Sequence, residues 1–291
     1  MSYVEVARLS PAARRRRIIR RRFFRRPLAV IGLVVSLTFV TVAVFAPLIA
    51  PYSYKETDFN AILAHPSRQH LFGTDALGHD IFSQVVYGAR ASMEAGVLAT
   101  LLALVVAVPI GLVAGYYRGW IDPVIARLTD ALLAFPFLIL AVGLAAILGP
   151  SLKNAILALG IGAVPQLIRI ARGEALSLRE EDYVRAAIAN GASDLTILRR
   201  HVLPNMMSTI IVQATLLIPI LIIGEATLSF LGLGVQPPAT SWGVQLRAAQ
   251  DYLFDAPRLA IYPGIAIVVA TLAFNLFGDG LRDVLDPRTQ R

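Results

Sequence analysis

Five residues of one loop, His65, His70, Asp75, His79 and Asp80, are the side chains of this sequence best suited in type to hold a metal ion. Imidazole nitrogens and carboxylate oxygens are ordinary zinc ligands. Their spacing matches no HExxH or other recognised ligand set, and isolated loop histidines are more often surface groups. The chain has no cysteine, which removes disulfides, thiol nucleophiles and thiolate metal sites. No GxSxG elbow raises a serine for nucleophilic attack. Cradling a nucleotide phosphate takes a glycine-rich loop followed by lysine. The two lysines, Lys55 and Lys153, follow Tyr54 and Leu152 instead. No catalytic residue, cofactor site or metal site is expected in this chain, and it is not expected to be an enzyme.

The more informative residues lie in EEDYVRAAIANGASDLTILRRHVLPN, at 180–205. The stretch from Glu180 to Asn190 is predicted to be a short helix, with Glu181 four residues ahead of Arg185 in the favourable order for a helical ion pair. Val184, Ala187, Ile188 and Gly191 recur at helical spacing and give it one small, apolar face. Gly191 suits the left-handed residue that ends a helix. Ser193 or Asp194 then caps a second short helix, and Pro204 falls in the first turn of a third. An amphipathic loop lying on lipid is the plainer reading of such a segment. Against it, Ala186, Ala187, Ala189, Gly191 and Ala192 cover little lipid but let another backbone come close. A protein-docking hairpin is the sharper reading.

The elements that must hold this hairpin are set by composition. The chain is 56% hydrophobic and 16% charged, where soluble domains average roughly 45–50% and about 25%. Charge-free runs at 28–50, 95–117, 131–152, 154–168, 202–224 and 259–278 predict six transmembrane helices, an all-α polytopic protein. The first run is too long for a signal peptide and reads as a retained anchor. The stretch 226–246 is also uncharged, but its glycines and prolines make it a loop or half-inserted segment rather than a seventh span.

Ten arginines in residues 1–26 precede the first run, as in a segment held at an anionic cytoplasmic lipid surface. With that start inside, 21 of the 27 basic residues fall on the cytoplasmic side, as the positive-inside rule requires. Both termini are then cytoplasmic, and nucleic acid is not an expected partner. The chain divides into a cytoplasmic Arg-rich segment (1–27), a first span (28–50), an extracytoplasmic loop (51–93), a transmembrane core (94–280) with the hairpin at 171–205, and a cytoplasmic tail (281–291). A secondary transporter would carry ionisable residues deep in its helices. Here Glu94, Asp130, Arg169 and Glu225 are placed at the margins. GLVAG at 111–115 permits a close helix contact of the small-xxx-small kind.

Ala186-Ala187-x3-Gly191, followed after nine residues by His201-Val202-Leu203-Pro204, resembles the EAA loop of ABC-importer permeases. Arg185 stands where that motif has glutamate and His201 where it has isoleucine. Both departures, with DYVRAA and RHVLPN, are similar to the dipeptide/oligopeptide/nickel branch. FGTDALGHDIFSQVVYGARASM resembles that branch's LGTDxxGRDxxSRxxxGARxSL signature through Gly73, Thr74, Asp75, Gly78, Asp80 and Arg90, with Phe72 and His79 departing. Gly73 and Gly78 allow tight turns and Asp75 and Asp80 can cap backbone amides, so this motif reads as mainly structural. FLGLGVQPPATSWG, YPGIAI and FNLFGDGLRDVLDPR extend the likeness to residue 288. Gly278-Asp279-Gly280 is read as the end of the last helix, with Arg282 at the lipid headgroups or the helix dipole.

The resemblance implies a type I ABC-importer permease fold in a bacterial or archaeal plasma membrane. It implies a heterodimer with a related permease, two cytoplasmic ATPase subunits that bind ATP and magnesium, and an extracytoplasmic substrate-binding protein. It also implies that Tyr183, Arg185, Ala186, Ala187, Asn190, Gly191, Ala192 and Ser193 form a coupling helix and turn against an ATPase. Peptides are the first expected substrate, with nickel, glutathione or another small solute as alternatives.

Overall fold

The computed structural model of the chain describes residues 20–285. Residues 1–19 of the Arg-rich segment and 286–291 of the tail, including Arg288, lie outside the described residues. Among the described residues the fold is all α, and its nearest approach to a strand is one isolated antiparallel bridge between Thr74 and Asp80.

Pro27 opens α1 (Pro27–Val44), in the first turn where its missing N–H costs no hydrogen bond. A break at Phe45 leads to the single turn of α2 (Ala46–Ile49), so the first apolar run is a helix with a bent end. After a folded loop come α3 (Ile81–Tyr117), α4 (Ile121–Leu133), α5 (Phe137–Leu148) and α6 (Leu152–Arg179). The hairpin contributes α7 (Asp182–Ala189) and α8 (Asp194–Ile197), and a π-helical turn, Leu198–Val202, carries α8 into α9 (Leu203–Phe230). The chain ends with α10 (Trp242–Ala249) and α11 (Arg258–Leu285).

Five stretches are long and apolar enough to cross a membrane: α1, α3, α6, the continuous Asp194–Phe230 and α11. The sixth expected span, 131–152, is not one helix. It joins α4 and α5, which bend by 86° at Pro136. Proline disfavours helix at the residue before it, here Phe135, and Pro136 itself has no N–H to continue the hydrogen-bond ladder of α4. With 12 residues, α5 rises only about 18 Å, short of the ~30 Å hydrocarbon core.

Other boundaries move because helices continue past the last apolar residue. Asp80 caps α3, its Oδ2 accepting the Ser83 N–H at 2.8 Å, so α3 starts at Ile81 rather than near 95. Losing that cap in Asp80→Ala should lower stability by about 1–2 kcal/mol, read as an earlier thermal unfolding of the purified protein. After α5, α6 starts at the Gly149–Ser151 turn, where Ser151 Oγ accepts the Asn154 N–H at 3.1 Å. It then runs through Arg169 to Arg179. The glycines 278 and 280 do not end α11, which continues to Leu285. They are close-approach sites: a Cβ on Gly280 would lie 2.1 Å from Ala29 Cβ of α1, and one on Gly278 would lie 2.9 Å from Thr215 Oγ1 of α9.

The centre of the bundle is the α3–α6 seam. Ala99, Ala103 and Ala107 of α3 and Ala155, Ala158 and Ala163 of α6 are all buried in one apolar cluster with Leu159 and Leu221. Lipid tails are as apolar as leucine, so helices in a membrane associate through close van der Waals packing of small residues rather than hydrophobic transfer. GLVAG supplies this at the seam's far end, with Gly111 against Ala171 and Gly115 against Arg172 and Ala175. The seam runs from Ala99 to Gly115 of α3, and the 37 residues of that helix, about 55 Å long, separate the molecule's two sets of candidate site residues.

Candidate functional site

The hairpin sits at the C-terminal end of α3. Its α7 is capped by Asn190 and followed by Gly191 at φ +77°, the left-handed turn expected of that glycine. Val184 is fully buried, and with Ile197, Leu198, Val202 and Met206 it packs on Leu112, Tyr116, Ala171 and Ala175 of the α3 and α6 stems. The predicted single apolar face is therefore divided. Val184 and, in part, Ala187 and Ala192 turn inward, whereas Ile188 and Gly191 turn out. Ala186, Ala189, Asn190 and Ser193 share the exposed side with them. Tyr183 lies beside His201, ring centroids 6.3 Å apart, and burial pushes its hydroxyl above the usual tyrosine range. Tyr116 Oη donates to Asp194 Oδ1 at 2.9 Å and fixes the second arm to α3.

Arg185 pairs with Glu180, Nη2 to Oε2 at 2.6 Å, and not with Glu181 as expected. Glu181 is the N-cap of α7, outside the helix proper, so the i,i+4 geometry does not apply to it. The other oxygen of Glu180 accepts from Arg118 Nη2 at 2.5 Å. Hydrogen bonding from Arg185 and the charge of Arg118 hold the Glu180 carboxyl below its usual range. Arg118 ends α3 at φ +57°, a conformation that L side chains seldom adopt.

The second set of residues lies at the N-terminal end of α3. Gly73 and Gly78 both take φ +80°, and a Cβ on Gly78 would meet the Asp58 carbonyl oxygen at 2.3 Å. Thr74 is fully buried; its Oγ1 donates to the Ala61 carbonyl and accepts the Ala64 N–H at 2.9 Å. Asp75 Oδ1 accepts the N–H groups of Leu77 and His79, each at 2.8 Å, and Oδ2 meets His79 Nδ1 at 2.9 Å. The histidine that replaces the resembling motif's arginine thus still faces a carboxylate. Asp80 is buried between Ser83 and His70, whose Nδ1 lies 3.0 Å from Oδ1. These five residues fold the loop onto α3. Arg90 stands apart from them, exposed further along the helix.

Glu225 differs from its expected place. It is fully buried inside α9 rather than at a margin, because the helix continues to Phe230. Its Oε2 accepts from Ser92 Oγ at 2.7 Å and its Oε1 from Ser229 Oγ at 2.7 Å. Next to it Trp242 Nε1 donates to the Val85 carbonyl at 3.0 Å, and Gln245 Nε2 to the Gln84 carbonyl at 2.7 Å. This polar set seats the 231–249 segment on α3 and α9, as a loop with the 8-residue α10 and not a seventh span.

A bundle of apolar helices with a packed, small-residue hairpin at one end and a turn-rich loop at the other agrees with the comparisons. Residues 107–291 match the family described as binding-protein-dependent transport system inner membrane component. The chain belongs to that family. Residues 15–66 also match the N-terminal transmembrane domain of oligopeptide transport permease C, which places this permease in the dipeptide/oligopeptide branch. It is 46% identical to the dipeptide transport system permease protein DppC of Alkalihalophilus pseudofirmus, over 90% of this chain and 86% of that one. It is 45% identical to the glutathione transport system permease protein GsiD of Escherichia coli, over 92% and 89%. Its fold matches that of the MetNI methionine ABC transporter in an inward-facing conformation, with TM-score 0.60 and 18% identity over 71% of this chain and 98% of that one. The protein is a multi-pass inner-membrane ABC-importer permease, not itself catalytic, of a family whose members work with ATPase and substrate-binding partners.

Proposed function

We propose that this permease forms half of a peptide-import pathway and takes its driving force from separate ATPase subunits through the α7–α8 hairpin. The observation that carries the reading is the hairpin's two-sided build. Its underside is fixed in the α3–α6–α9 core by Val184, Ile197 and Val202, and its outer side offers Ala186, Ala189, Asn190 and Gly191 to another backbone. The hairpin and both termini are cytoplasmic in this reading, in keeping with the distribution of arginine. The complex contains a related permease, two ATPases that bind ATP with magnesium, and an extracytoplasmic binding protein.

The names of the DppC and GsiD relatives support a dipeptide or a glutathione-like peptide as substrate. A chain without cysteine makes the test clean. In the complex co-expressed with its genomic neighbours, Ala186→Cys should crosslink to an engineered cysteine in the ATPase groove, and ATP should change the yield. Folded ATPases that never crosslink from Ala186, Ala189 or Asn190 would refute the docking. Uptake of a mixed pool of labelled di- to pentapeptides and glutathione into proteoliposomes, read by mass spectrometry, then decides the substrate.

A further inference from the structure

The helix α4 is attached to its own chain in an unusual way. Of its 13 residues only Thr129 is buried, while Val124, Leu128 and Leu132 are exposed. Its apolar contact with the core lies on one side, where the half-buried Ile125 packs against the central cluster. Ion pairs supplement that contact, and they run antiparallel along the stem of α6. Arg172 holds Asp122 with two bonds, Nε to Oδ1 and Nη2 to Oδ2 at 2.8 Å. Arg169 Nη2 holds Asp130 Oδ1 at 2.6 Å. At the near end Arg118, in the elbow between α3 and α4, holds Glu180 at the end of α6, and the same carboxylate takes Arg185 of the hairpin.

Exposed pairs of this kind contribute little to stability, about 0–1 kcal/mol each. The Arg172–Asp122 pair is different, being two-pronged and mostly shielded from water, with side-chain exposures of 29% and 18%. Two parallel N–H···O bonds fix orientation as well as distance. The elbow supplies a second observation. Arg118 has φ +57° and is followed by Gly119 at +55°, which glycine takes freely; unfavourable backbone such as that of Arg118 persists where the surroundings over-determine it and gathers at active sites and switch regions. Beyond α4 the chain turns by 86° into α5, too short to cross the membrane alone. The pair α4–α5 is thus a jointed span whose hairpin-side segment, α4, is strapped by charge to the helix that carries the hairpin.

We infer that Asp122, Asp130 and Glu180 are positioning residues that bind α4 to the α6 stem, so that displacement of the hairpin carries α4 with it and works the joint in the third span. The inference rests on the hairpin being the part the ATPases move. Asp122 and Arg172 are the decisive pair, since they fix α4 in angle as well as in place.

The test uses the full complex in proteoliposomes, with Leu128→Cys as the one thiol of this chain. Modification by a water-soluble maleimide is timed without nucleotide and with ATP plus vanadate. ATP should change the rate by about fivefold or more, the lower bound of ordinary coupling between two sites. In the Asp122→Asn and Arg172→Gln backgrounds the change should disappear, and the charge-swapped pair Asp122→Arg with Arg172→Asp should restore it. The ATP response of the Ala186→Cys crosslink should survive in all of these. A persistent ATP response at Leu128 in either single variant would overturn the strap, and so would loss that the swap does not mend. A Leu128 rate indifferent to ATP, while the Ala186 crosslink responds, would show that α4 is not carried. If the crosslink fails but Leu128 responds through Asp122, the docking site falls and the strap stands. If both are silent, both fall.

Discussion

Gly115→Leu should leave little folded protein in the membrane. A Cβ at Gly115 would lie 2.5 Å from the Arg172 carbonyl oxygen and 2.7 Å from Ala175 Cβ. One turn earlier, Gly111 has Ala171 Cβ at 2.6 Å and the Ile168 carbonyl oxygen at 2.8 Å from the same position. Two of these neighbours are backbone and two are alanine methyls, so no flexible side chain can swing away. The only relief is to part α3 from α6. Overpacking costs about 1–3 kcal/mol where a core can adjust, and occasionally more. Here the seam is made of alanines and glycines whose contacts all require the short separation, so the loss extends along it. Folded proteins are stable by only about 5–15 kcal/mol. Gly173→Ala on the facing helix meets nothing within 4 Å and should behave as the parent. The measurement is the yield of monodisperse protein after detergent extraction, with thermal unfolding of what remains. A Gly115→Leu protein that extracts and melts like the Gly173→Ala control would show that the seam does not depend on that contact.

What the sequence made legible divides along physical lines. Gly191 declared its left-handed turn and Pro204 its first turn of helix, because both are local backbone requirements that residue type alone expresses. Gly73, Gly78, Asp75 and Asp80 were readable for the same reason. Boundaries set by charge-free runs failed wherever a helix outlasts its apolar segment, as α3 does before Glu94 and α6 does past Arg169. The break in the third span does have a signal in the sequence, Pro136 inside the run 131–152. Glu225 had none. Its nearest hydroxyl partner in sequence is Ser229, one turn on, but Ser92 is 133 residues away and reaches it only once α3 and α9 are packed. The ladder of Arg172, Arg169 and Arg118 was invisible likewise, since each partner lies on another helix and a charged residue beside an apolar run reads equally well as solvated. The small residues at 278 and 280 carried a genuine ambiguity: glycine ends helices and also lets them touch, and only the neighbour decides which.

The same ambiguity, resolved the other way, makes Gly191→Leu the sharpest functional test. Nothing in this chain lies within 4 Å of a Cβ at that position, so leucine meets open space and the fold has no steric reason to object. The cost is conformational: an L residue held at φ +77° loses roughly 1–2 kcal/mol, a fraction of ordinary stability. The protein should therefore insert, fold and assemble its helices. What leucine changes is the exposed surface at the tip of the hairpin, where several heavy atoms replace a hydrogen. If an ATPase backbone closes on that tip, import of the peptide pool should fall to background while the ATPases still bind nucleotide. Gly191→Ala separates the two effects, for alanine carries the same φ penalty with almost none of the bulk. Import retained with alanine and lost with leucine assigns the defect to docking. Equal loss in both would assign it to the turn's backbone, and the hairpin would then matter for its shape rather than for its outer face. Normal import in the leucine variant would remove the docking surface altogether, since no partner could approach Gly191 closely and leave that side chain room.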